Sequence, residues 1–457
     1  MVITNMIVSS GEKMTNFKKK TSLSQMRYPS LKTDKKPFVL GLLTSFPAMA
    51  LVAFTFSTAE MVQAGPLFGI NVEVDGTNEL VAYDTIDLLF DALDSSFDLA
   101  DINPKYNDTA AANIIANFRG VDIHVVYSTA SPSVTLSVPS LDEIEDKTFN
   151  GTTRAASNEE LIKHLQSNQE NIMTQVIQSL VATTASDPIA GNPASLQSRM
   201  IASDFSIGTG LADNGNSQVD ASSSEENQKT FPRSGARLGR YTANGVTQTV
   251  IELPLSYTIP LSDPRYGVVL TSPFTYVETE GTKTFSLSLG GGLRVPVYDN
   301  WTITPALRLG ATGSADLGSL ATMFGASVTS SFRWSNQNLN WELGNMVGFN
   351  QTGGAITIED TEIDYDLRNT MLRNGLSVSK STSRKLFGDP TTWDFAVVNT
   401  QISGDEVFID NYTDVSFSYG TLASKNGITW DSVRLGLTYT ITNKDYNGFQ
   451  LNFGYQF

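Results

Sequence analysis

The 457-residue chain has no cysteine and only two histidines, His124 and His164. Without cysteine no disulfide can form, so an exported chain must draw its stability from elsewhere, and closure of a sheet on itself is one source. From residue 165 to the end there is no histidine. That removes the imidazole that Ser–His–Asp and related hydrolytic arrangements need in the C-terminal half. His124 alternates with Ile123 and Val125, and His164 falls on the polar side of a helical pattern. Neither has a Ser, Cys or metal-spaced partner nearby in sequence. The expectation is no catalytic residue, no metal site and no cofactor. Basic residues are also few, 31 Lys and Arg against 47 Asp and Glu, for a net charge of −16. That balance argues against a nucleic-acid partner. Beyond Phe56 no stretch is apolar enough for a transmembrane helix, so any later membrane embedding must use strands.

What basic charge there is lies at the start. Residues 1–36 hold eight Lys and Arg against Glu12 and Asp34, a net +6, so the remainder sums to −22. An apolar run follows from Phe38 to Phe56, then small and polar residues, then Val62-Gln63-Ala64. Charged, apolar and small-x-small, in that order, make a secretory signal. The expected signal peptide is 1–64, cleaved after Ala64, with Met14 or Met26 as alternative starts. Pro47 and the Val-Gln-Ala site favour cleavage over an uncleaved anchor.

Residues 65–185 read as a small α+β domain. Phe68 to Val74 is a strand closed by Gly76. Asp84 can cap a helix with the stripe Ile86, Leu89, Phe90, Leu93 and Phe97. A second helix is expected over Thr109 to Phe118, then strands Val121 to Tyr127 and Ser133 to Val138. This β-α-α-β-β order resembles a POTRA module, the periplasmic domain of some translocating barrels, in element order alone. A generic α+β unit is the favoured reading. Ser157-Asn158-Glu159-Glu160 has the form of a capping box. It predicts one long helix to about Ala182, whose apolar stripe (Leu161, Leu165, Ile172, Val176, Leu180) suits packing on the small domain better than threading a polar lumen. Residues 186–244 read as a flexible linker, with a more apolar Leu196 to Phe205 that can form a short helix.

From 245 to 457 the period changes to two. Phe285, Leu287, Leu289 and Leu293 alternate with Ser286, Ser288, Gly290 and Gly292. Ile303, Leu307 and Leu309 alternate with Thr304, Arg308 and Gly310. Similar segments recur every dozen or so residues, with Trp301, Trp334, Tyr257, Tyr276 and Trp430 close to turns, as interfacial girdles require. Parity reverses between Ile358 and Ile363, which predicts a bulge near Asp360. About twelve strands are expected. By parity Glu252, Arg294, Arg308, Arg333, Glu342 and Arg434 face inward, as a lumen network of paired charges or as a selectivity ring.

The last strand is the most specific stretch. Leu451, Phe453, Tyr455 and Phe457 alternate with Asn452, Gly454 and Gln456, and the chain ends on the aromatic. On a soluble edge strand this face would invite aggregation. A terminal Phe with apolar residues at every second position resembles the C-terminal assembly signal of Gram-negative outer-membrane β-barrels. Gln450, Leu451, Phe453, Tyr455 and Phe457 match it, while Asn452 stands where Gly is usual. That resemblance implies outer-membrane lipid around the barrel, and barrel-assembly machinery and periplasmic chaperones as partners. Twelve C-terminal strands after a helix resemble the autotransporter translocator, here without a repeat-rich passenger. The expected fold is therefore mainly β: a 12-stranded antiparallel transmembrane barrel preceded by a small α+β domain and a long helix. The implied role is structural, surface-display or export-related. The alternative is a small-solute, porin-like pore with a periplasmic accessory domain, and a hydrolase is disfavoured by the missing histidine.

Overall fold

The computed structural model describes residues 67–457 except 86–87, 90–98, 142–143, 168, 210–231, 244–245, 264–265, 359–360, 387, 422–431 and 457. The expected signal peptide with its Ala64 site, most of the first helical stripe (Ile86, Phe90, Leu93, Phe97), Trp430 and Phe457 lie outside the described residues.

The N-terminal domain is a six-stranded antiparallel sheet. Its strands are β1 (Phe68–Val74), β2 (Thr77–Tyr83), β3 (Ala112–Phe118), β4 (Val121–Tyr127), β5 (Val134–Ser137) and β6 (Lys147–Phe149). They lie in the order β2-β1-β3-β4-β5-β6. The β1–β2 turn places Asp75 and Gly76 at φ 48° and 69°, the paired positive φ of a tight hairpin. One face carries Phe68, Ile70, Val72, Ile114, Phe118, Ile123 and Leu136, all buried. Two helices cover it, α1 (Arg154–Gln166) through Leu161 and α2 (Ile172–Thr183) through Ile172, Val176 and Leu180.

Four expectations are corrected here. The segment expected as a second helix, Thr109 to Phe118, contains β3, so the β-α-α-β-β order and with it the POTRA resemblance are absent. Ala110-Ala111-Ala112 favours helix locally, but Ile114, Ala116 and Phe118 alternate with Asn113, Ile115 and Asn117, and pairing with β1 and β4 prevails. The single long helix is two helices, broken where Glu170 and Asn171 take φ 59° and 56°. The cap is Thr153, whose side chain accepts from the Ala156 N–H. Ser157 lies inside α1 and ties it to the sheet, accepting from Gly151 N at 2.8 Å and donating to Pro132 O at 2.7 Å. His164 is buried against the Phe149 ring, not on a polar surface.

The barrel begins earlier than residue 245. Its strands are β7 (Pro232–Ala243), β8 (Val246–Leu253), β9 (Leu255–Pro260), β10 (Gly267–Thr271), β11 (Phe274–Thr279), β12 (Thr282–Tyr298), β13 (Trp301–Ser314), β14 (Ser319–Asn336) and β15 (Leu339–Thr352). After a small outlying hairpin of β16 (Ile356–Ile358) and β17 (Thr361–Ile363) come β18 (Arg368–Leu386), β19 (Asp389–Gly404), β20 (Asn411–Thr421), β21 (Ser432–Thr442) and β22 (Asn447–Gln456). Pro254 divides β8 from β9, and Ser272-Pro273 divides β10 from β11, because proline has no N–H for the ladder. Each pair forms one stave, so the closed antiparallel barrel has twelve. β22 pairs with β7 from Asn447↔Thr242 to Gln456↔Arg233, which leaves no edge.

β7 was hidden in the expected linker because its outward face offers one large apolar residue, Leu238. The parity reversal is not a bulge in the wall either. Asp360 itself lies outside the described residues; β16 and β17 on either side pair only with each other, and β18 starts a new parity at Arg368.

Candidate functional site

The lumen is occupied. A third helix, α3 (Leu196–Gly208), lies within it and is buried on nearly every side. Ser195 caps its N-terminus by accepting from Ser198 N. The wall beside it is lined with inward glycines. A Cβ on Gly310 would meet Met200 Sδ at 2.6 Å, one on Gly348 would meet Ile201 Cδ1 at 2.8 Å, and one on Gly292 would meet Ile207 Cγ2 at 2.7 Å. The helix fits because those side chains are missing.

Two ion pairs of opposite polarity hold it. Arg199 Nη1 lies 2.8 Å from Glu252 Oε2 and donates to Gln450 Oε1 at 3.1 Å. Glu252 also binds Arg237 of the wall at 2.6 Å. On the other side Asp204 Oδ1 accepts from Arg308 Nε at 2.8 Å. Arg308 further donates to Ser288 Oγ at 3.1 Å and Thr271 Oγ1 at 2.7 Å. At the C-terminal end Arg294 Nε donates to Ile207 O at 2.9 Å, a cation at the negative pole of the helix. Arg373 lies over the Phe205 ring at 5.5 Å and pairs with Asp414 at 3.1 Å. With partners on both sides, removing one member of such a buried pair costs about 3–5 kcal/mol.

The six inward candidates thus fall into two groups. Glu252, Arg294 and Arg308 bind the helix. Arg333 pairs with Glu342 at 3.1 Å, and Arg434 pairs with Asp394, nearer the end where the barrel's own termini lie. Of the terminal-strand residues, Leu451 and Phe453 point outward, while Gln450 points inward and binds Arg199. Tyr455 lies in β22 opposite Val433, and nothing is described of its side chain. Missed in the sequence were Arg199, Asp204, Arg237, Arg373 and Asp414. The signal that would have found the helix is the run of inward glycines set beside the apolar Leu196 to Phe205.

The helix runs along the lumen. Its start is near β18, where Gln197 Nε2 donates to Asn369 Oδ1 at 2.7 Å. Its end is near Arg294, a few residues from the Tyr298–Trp301 turn. The N-terminal domain therefore sits at the end of the barrel opposite Pro232 and Gln456. There the Leu317 tip of the β13–β14 turn enters the domain's own apolar core. Arg119, in the β3–β4 turn, lies 3.0 Å from Asp187 Oδ2 with both side chains essentially inaccessible. Arg119 also donates to Ser319 Oγ at 2.9 Å. The Tyr365 hydroxyl donates to Asp187 Oδ2 at 3.3 Å, and burial, reinforced by that carboxylate, pushes its pKa above the ordinary phenol value. Backbone bonds complete the join: Phe408 N to Val181 O at 2.8 Å and Ile409 N to Gly191 O at 3.2 Å.

The outer wall decides what surrounds the barrel. Leu289, Leu307 and Leu309 are each 60–64% exposed, while Arg308 between the last two is 1% exposed. Phe285, Phe324, Phe332, Phe395, Phe417, Phe449 and Phe453 extend this apolar surface around the wall. No sheet closed in water would invert its pattern so; a bilayer requires it.

The chain is a transmembrane β-barrel protein.

Comparison with known proteins gives distant likenesses alone. No protein-family model and no curated protein sequence matches the chain. Among solved structures, the β domain of the Bordetella autotransporter BrkA is 16% identical over 50% of this chain and 98% of that one, with a TM-score of 0.40. The NanC porin is 12% identical over 49% and 98%, with a TM-score of 0.30. LpxR from Salmonella typhimurium, an enzyme barrel, is 7% identical over 50% and 99%, with a TM-score of 0.32.

Proposed function

We propose that the protein is an autotransporter-like display platform, in which the barrel holds residues 67–185 at the cell surface and has no catalytic role. The observation that carries this reading is the path of the chain. The domain lies at one end, α3 passes down the lumen, and the first strand starts at the other end beside the last. On this reading outer-membrane lipid surrounds the wall, and the barrel-assembly machinery and periplasmic chaperones handle the chain before insertion.

The pore reading requires α3 to leave, against its two buried ion pairs. The test is protease shaving of intact cells carrying a tag in the β1–β2 turn, with permeabilised cells as the control. Cutting on intact cells supports display. Protection until permeabilisation, together with single-channel conductance by the whole chain, would replace it with the pore.

A further inference from the structure

The outer wall departs from its own pattern along one line. Ser330, Asn345, Asn374, Asn399 and Thr413 stand directly opposite one another in the ladder of β14, β15, β18, β19 and β20. They form a polar row on the outward face. In the first three strands this row is deep within the apolar surface. Val328 and Phe332 flank Ser330, Leu343 and Val347 flank Asn345, and Leu372 and Leu376 flank Asn374, all of them exposed outward.

The ends of the row are satisfied within the wall. Trp301 Nε1 donates to Ser330 Oγ at 2.8 Å. Asn399 Nδ2 donates to Asn411 Oδ1 at 2.8 Å and to Thr413 Oγ1 at 3.0 Å. The centre is only half satisfied. Asn345 Nδ2 donates to Asn374 Oδ1 at 2.7 Å. Among the described residues, the Asn374 Nδ2 hydrogens and the Asn345 carbonyl oxygen have no partner, and both side chains are exposed. At this depth water does not reach them, and acyl chains offer neither donor nor acceptor.

We propose that the row is an interface through which two copies of the chain pair side by side in the membrane. The unmet groups are one donor and one acceptor on adjacent strands, so the surface complements itself. A two-fold axis along the membrane normal sets Asn374 of each copy against Asn345 of the other. A second copy carries the row at the same depth by construction. The row is uncharged, so pairing buries no ion. Apolar residues above and below it close the contact against lipid.

The absence of cysteine makes the test direct. Val347→Cys lies beside the row and leaves both amides in place, while Leu437→Cys lies on β21, on another part of the wall. Cells bearing either variant of the full chain are treated with a short bis-maleimide. The expected result is a cross-linked dimer from position 347 at about tenfold the yield from 437. Co-purification of tagged and untagged copies then falls about tenfold in the Asn345→Leu/Asn374→Leu double variant, because the interfacial hydrogen bonds are gone. Its barrel remains folded by heat-modifiability. Equal yields at the two positions, cross-linking of 347 to a different protein, or undiminished co-purification in the folded double variant would each overturn the proposal.

Discussion

The molecule contains two antiparallel sheets with opposite insides. In β4 of the N-terminal domain Ile123, Val125 and Tyr127 are buried, while Asp122 and Val126 face outward. In the barrel Leu307 and Leu309 face outward and Arg308 is buried. Both sheets alternate with period two. The alternation fixes which residues share a face, and the medium on each side fixes which face is buried. The domain follows water's rule and the barrel follows the bilayer's. The join between them, where Leu317 enters the domain core and Arg119 reaches Asp187, must satisfy both.

That contrast can be broken at the join first. Arg119→Ala leaves Asp187 buried without its cation, which weakens docking by about 3–5 kcal/mol. Residues 184–195 then become cleavable by limited proteolysis while the barrel keeps its resistance to heat in detergent. Asp204→Ala applies the same loss to the plug, leaving Arg308 uncompensated. It is expected to open channel activity in planar bilayers where the unaltered chain shows none.

Next in size is a charge set on each sheet's outward face. Leu309→Arg places a cation against lipid and is expected to cost about 2–4 kcal/mol in urea unfolding from vesicles. Val126→Arg, on the exposed face of the domain, is expected to stay within about 0.5 kcal/mol. Similar losses at the two positions would mean the barrel's outer face does not meet lipid.

The smallest effect is a matter of pH. Burial raises the Tyr365 pKa, so the protonated phenol is favoured in the docked state. Its contribution is fully present below the free phenol value of about 10 and is lost as pH rises through the higher docked value. Tyr365→Phe removes the bond to Asp187 at a cost of about 1 kcal/mol. It also removes one late-ionising tyrosine from an ultraviolet titration. An unchanged titration would place that proton on another residue.

How much of this was legible followed from the contrast between neighbours in sequence. Long strands such as β12 and β13 announce themselves, because Leu and Phe alternate with Ser, Gly and Arg for many residues. β7 does not, since its outward face sets Ala236, Arg240 and Thr242 beside a single large apolar residue, Leu238. The inward position of Arg308 could be read from parity, yet its partner Asp204 lies 104 residues away on a helix that sequence distance could not connect to it. Arg119 and Asp187 were missed for the same reason. The split at Glu170 and Asn171 was missed because the apolar stripe continues across it.

Arg199 reaches Glu252 on β8 and Gln450 on β22, the two strands that flank β7. The place where the first strand meets the last is therefore laced from inside by a residue that belongs to neither. Timing follows from this. β22 is the last of the barrel's strands in sequence, and the ring stays open until it pairs with β7. Closing the ring and seating the helix draw on the same guanidinium, so they are two views of one event.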